Sequence, residues 1–78
     1  NKTALFRISA NIQHFMEMQG VSQADLVRKT GENSMNISRT CRGQNVPNIV
    51  LLARIAEALD VSVDQLLAEP AGKFSRTG

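Results

Sequence analysis

"SQADLVRKTGENSMNISRTCRG", residues Ser22 to Gly43, holds two short stretches of helical period with a brief polar break between them. Ser22 stands where an N-cap belongs, because its hydroxyl can accept one of the N–H groups that a first helical turn leaves without a partner. Leu26 and Val27 give that helix its inward side, and Gly31 closes it after about two turns. Asn33 can cap the next helix, in which Ile37 and Cys41 lie one turn apart with Thr40 beside them on the inward face. Gly43 stops it. The link "TGEN", Thr30 to Asn33, is so short that the two helices must meet at a sharp angle. The second of them is too polar to be a core helix, since its other positions are Ser34, Met35, Asn36, Ser38 and Arg39.

Upstream, from about Ala4 to Gln19, the apolar residues Leu5, Ile8, Ile12, Phe15 and Met16 recur at the spacing of an amphipathic helix, and Gly20 ends it. Downstream, "GQNVP" (Gly43 to Pro47) reads as a loop inside the domain. Asn48 then caps a helix to about Leu59, with Leu52, Ile55, Ala56 and Leu59 in helical register, and this is expected to be the central helix. Asp60 takes the position after its end. Ser62 with Gln65 has capping-box spacing for a fifth short helix that buries Val63, Leu66 and Leu67. Pro70 forbids continuation. Residues 1–69 are therefore expected to form one domain, and 70–78 a flexible tail or the start of an interdomain linker.

A chain of 78 residues has room for one small core. Its 42% hydrophobic content, with three Phe and neither Trp nor Tyr, suits an all-α bundle of five helices built from Leu, Ile, Val, Met and Ala. Cys41 is the single cysteine, so no internal disulfide forms, which favours a reducing, cytoplasmic setting. The longest apolar run, Ile49 to Ala53, is far too short for a membrane span. Asn1 at the start and "AGKFSRTG" at the end suit a piece of a longer protein. The formal charge of +2 is compatible with a polyanionic partner and decides nothing alone. His14 reads as a surface residue, and neither a metal nor any other cofactor is expected. Asp25, Glu32, Glu57 and Asp64 are scattered, and no pair converges as an acid and a base would need, so no enzymatic activity is expected.

The pair of short helices is a helix-turn-helix, and "SQADLVRKTG", "NISRTCRG" and "VPN" together resemble the lambda-repressor-like family of phage repressors and Cro-like regulators. The resemblance runs from roughly Ile12 to Leu67. Ser22, Gln23, Leu26, Gly31, Ile37, Ser38, Gly43 and Pro47 occur in the family's order, and their joint spacing is far more specific than any one of them. Three departures stand out. Val27 replaces the usual Ala and Thr40 the usual large aliphatic, a smaller neighbour for a larger residue. Glu32 takes a turn position that is commonly apolar. Met16 and Cys41 occupy positions where many relatives pair an Arg with a Glu, and losing both charges together is physically sensible because one alone would be left buried and unpaired. The Met16 side chain is therefore expected to touch Cys41.

With Ile37 inward, a turn of about 100° per residue sets Met35 and Arg39 on the outer side, flanked by Asn36 and Ser38. The resemblance adds Ser34 at the first turn as a base-contacting position, and in such complexes the start of the second helix enters the major groove. Arg39 can fork two donors onto guanine, or else meet a phosphate or solvent. Met35 offers an apolar surface to a thymine methyl, or packs on its neighbour helix. Ser34, Asn36 and Ser38 read bases or serve as caps. Gln23 is implied as a phosphate or base-edge clamp, where the helix N-terminus favours a phosphate. Arg42, Gln44 and Asn45 either hold the DNA backbone or form an ordinary polar loop. The resemblance thus implies a phage-type repressor binding a double-stranded DNA operator as a homodimer, possible contact with an antirepressor, and no membrane. The competing expectation is a protein-interaction module on the same scaffold, such as an antitoxin.

Overall fold

The computed structural model of the chain describes residues 2–69, so the tail or linker expected over 70–78 lies outside the described residues. Five helices follow in order: α1 (Lys2–Gln19), α2 (Gln23–Thr30), α3 (Ser34–Cys41), α4 (Ile49–Ala58) and α5 (Val63–Leu67). The all-α class and the five expected helices are observed. Only α1 differs at its start, reaching back to Lys2 ahead of the expected Ala4, since no Gly or Pro interrupts the residues between.

Each expected N-cap is formed. The Asp25 N–H donates to Ser22 Oγ at 3.1 Å and the Ser22 N–H donates to Asp25 Oδ2 at 3.0 Å. Asn33 and Asn48 accept from the N–H groups of Asn36 (2.7 Å) and Leu51 (2.8 Å), and Ser62 with Gln65 makes the reciprocal capping box. Each such cap is worth about 1 kcal/mol to helices too short to persist alone. At the other ends, Gly31 (φ 75) and Asp60 (φ 58) adopt the left-handed conformation that turns the chain out of α2 and α4.

The core joins Ile8 and Ile12 of α1, Leu26 of α2, Ile37 and Cys41 of α3, Leu51, Leu52, Ile55 and Ala56 of α4, Leu59 just after it, and Leu66 of α5. Full burial of such aliphatic side chains contributes roughly 1.5–3 kcal/mol each. α1 packs on α5 and α3, while α2 packs on α4 and α3. Leu67 departs from expectation and is exposed. A helix of five residues barely exceeds one turn, so Leu66, turned fully inward, leaves its neighbour about 100° away in solvent.

Side-chain amides of α1 tie the bundle together. Asn11, only 3% exposed, donates through Nδ2 to the carbonyls of Leu66 (2.8 Å) and Ala68 (2.7 Å) at the end of α5. Gln13 donates to the Cys41 carbonyl that ends α3, and Gln19 to the Leu59 carbonyl that ends α4. For α2, Arg54 reaches the Thr30 carbonyl at 3.4 Å. Carbonyls that α-helical geometry leaves without an internal partner are thus met from elsewhere in the fold.

Candidate nucleic-acid interface

The rotation of α3 about its axis is decided by what it buries. Ile37 and Thr40 are wholly enclosed and Cys41 is nearly so. That leaves Met35 61% exposed, with Arg39 and Ser34 exposed beside it and Ser38 half-buried. Because Gly31 folds α2 back so close to the start of α3, Gln23 at the first turn of α2 comes alongside. Gln23, Ser34, Met35, Ser38, Arg39, Arg42 and Gln44 together line one open groove of about 560 Å³.

Seven of the nine residues expected to meet DNA therefore share one surface. The other two, Asn36 and Asn45, do not line the groove and are bonded to each other, Asn45 Nδ2 donating to Asn36 Oδ1 at 2.7 Å. Asn36 Nδ2 in turn donates to Glu32 Oε2 at 3.0 Å. Sequence reasoning missed this chain. One half of it is local, since Glu32 stands just before the Asn33 cap and Asn36 in the first turn that the cap opens, whereas the reach from Asn36 to Asn45 depends on how the loop after α3 folds back.

The groove lining has two guanidinium groups and no carboxylate. An arginine facing a groove of this kind supplies several donors in a rigid fork, suited to phosphate oxygens or to a guanine edge. The N-terminus of α2 carries an anion of its own: the backbone N–H and hydroxyl of Ser22, with the Arg28 guanidinium, hold the Asp25 carboxyl below its ordinary range. It stays ionised at neutral pH and offsets the positive end of the α2 dipole.

Behind the groove, Gln23 and Arg42 also border a second open cavity of about 540 Å³ whose floor includes Met16 and Cys41. The sulfur atoms of these two residues lie 3.9 Å apart, the contact expected from the absent ion pair. Burial pushes the Cys41 thiol above its ordinary range, which makes it a packing group and a poor nucleophile. His14 is half-buried, its ring set edge-on against Phe15 at 5.3 Å. Among the described residues no group of three or more His, Cys, Asp or Glu side chains could hold a metal ion, and no helix is long and apolar enough to cross a membrane.

The family model described as the Cro/C1-type HTH DNA-binding domain matches residues 11–70 of the chain. No curated protein and no solved structure matches it.

Proposed function

The chain belongs to the Cro/C1-type HTH DNA-binding domain family, and from that premise we propose that it is the operator-binding domain of a phage-type repressor, which reads sequence through α3 and binds as a homodimer. One observation carries the reading most: seven polar or flexible residues of α2, α3 and the following loop, two of them arginines, face a single open groove. The outer side of α3 is polar because its partner is a duplex and not the protein's own core. Arg39 reads a guanine, Met35 packs on a thymine methyl, and Ser34 and Ser38 contact neighbouring base edges. Gln23, Arg42 and Gln44 hold the phosphates on either side, which sets register and affinity but carries no sequence information.

A single such domain covers half an operator, and two copies sit roughly 34 Å apart on a near-palindrome. The surface for the second copy is the loop before α4 and the start of that helix, where Val46, Ile49 and Val50 are 63%, 69% and 56% exposed. Residues 43–53 contain no ionisable side chain, so two copies of this segment meet without burying a charge. Repression follows from occupying a promoter and excluding polymerase.

The test is selection of bound duplexes from a random pool, followed by Arg39→Ala against the selected sequence. The expected result is a near-palindromic consensus, with discrimination at one base pair per half-site reduced by roughly 1–3 kcal/mol in the variant. An unaltered consensus at full affinity would remove Arg39 from the reading set.

A further inference from the structure

Asn36 lies on the flank of α3 beside the expected base-reading residues, yet its amide is engaged at both ends. Nδ2 donates to Glu32 Oε2 (3.0 Å) and Oδ1 accepts from Asn45 Nδ2 (2.7 Å). A carboxylate can only accept, so Glu32 determines which end of the Asn36 amide faces it, and the oxygen must then turn toward Asn45. Glu32 is itself held in place. Its Oε1 accepts the Asn33 N–H (3.3 Å), and its own N–H donates to Thr30 Oγ1 (3.2 Å), whose hydroxyl donates to the Leu26 carbonyl inside α2 (2.6 Å). One hydrogen-bonded line thus runs from α2 through the turn and across the flank of α3 to the loop that follows it.

We infer that Asn36 is a positioning residue and not a base reader: anchored by Glu32, it orients Asn45, whose second amide hydrogen meets a DNA phosphate. Two features carry this. A bidentate Asn–adenine contact uses the amide oxygen and one amide N–H together, and in Asn36 one N–H and one oxygen lone pair already serve the protein, so the amide is held in an orientation set by Glu32 and Asn45 and not by a base. Asn45 sits in the turn after α3, where the chain has no helical hydrogen bonds to steady it, so the amide–amide bond supplies the constraint. Glu32 gains a reason to be charged: a neutral amide at 32 could be flipped, and the polarity of the line would no longer be determined.

The inference rests on the DNA-binding reading above, and its test separates the two. Asn36→Ala, Asn45→Ala and the double variant are compared with the unaltered protein, both on the selected operator and in a fresh selection from the random pool. Each single variant is expected to lose roughly 3–10-fold in affinity, the scale of one hydrogen bond, equally on matched and mismatched sequences, with the consensus unchanged. The double variant loses no more than either single one. Proton relaxation in the free protein gives the readout that needs no DNA: the Asn45 side-chain amide becomes mobile in Asn36→Ala, with the α2 and α3 backbone as ordered as before. A changed consensus at one position in Asn36→Ala makes Asn36 a reader and overturns the inference. So do additive losses, unaltered affinity in both single variants, or an Asn45 amide already mobile in the unaltered protein. Failure of the unaltered protein to select any duplex removes the DNA-binding reading itself, and this inference with it.

Discussion

Thr40 is wholly buried, and its hydroxyl oxygen has no hydrogen-bond partner. It is enclosed among the core residues Ile37 and Cys41 of the same helix, so its shape is needed while its polarity is not. Removing a buried hydroxyl that makes no bond relieves a desolvation cost. Thr40→Val should therefore leave stability unchanged or raise it by up to about 1 kcal/mol, measured as a shift in the urea midpoint at constant slope. A loss larger than about 1 kcal/mol would show that the oxygen is bonded in solution. The Met16–Cys41 contact invites the opposite experiment. Cys41→Glu alone places an unpaired carboxylate in the core and should cost roughly 3–5 kcal/mol, a large part of the stability of so small a domain. Adding Met16→Arg should recover most of it, and equal stability of the single and double variants would rule out coupling between the two positions. This pair was legible in advance because one resemblance named both positions together. The missing partner of Thr40 was not, since a buried hydroxyl is satisfied or orphaned by atoms of other helices.

At the level of helices, starts were easier to read than ends. Ser22, Asn33, Asn48 and Ser62 each precede an apolar period, and a cap acts within a few residues of itself, so local sequence suffices. Helix ends are completed from a distance. Gln13, Gln19 and Asn11 reach carbonyls 28, 40 and 55 or 57 residues away, and a glutamine on a helix carries no mark of such a role. Asn11 alone left a hint, because it falls within the stripe of Ile8 and Ile12, where a polar residue needs a buried partner. Leu67 illustrates the converse: two consecutive leucines looked equally apolar, and only the brevity of α5 leaves one outside. Asn11→Ala should cost about 1–3 kcal/mol by leaving two carbonyls without their donor. Amide hydrogen exchange should quicken throughout α5 and change little in α2 and α3. Uniform quickening across all helices would mean that α5 does not loosen separately.

For the molecule as a whole, the groove and the apolar patch make separable predictions. Ile49 is exposed and lies outside the groove lining, so Ile49→Glu should leave the fold and single half-site binding intact. On a full operator it should weaken cooperative binding, because two like charges would then meet between the copies. Undiminished cooperativity would place the dimer contact elsewhere. Duplex affinity should also fall linearly on a log scale with salt, by a slope of about 0.9 per phosphate neutralised. A module that binds only proteins would show no duplex affinity to titrate. The site was legible in outline because the inward residues of α3 define its outward ones, and Ile37 and Cys41 were recognisable from their spacing. The separation of Asn36 and Asn45 from the other seven was not, because it depends on a loop conformation that no period encodes.

The amides of Asn11, Gln13 and Gln19, which bind α1 to the ends of three other helices, carry no net charge. Counterions therefore have nothing to compete for in these three ties, whereas arginines that grip a polyanion through charge, as proposed for those of the groove, would lose their hold as ionic strength climbs. On that reading, added electrolyte should release the polyanion before it unfolds the protein, and dilution should restore binding.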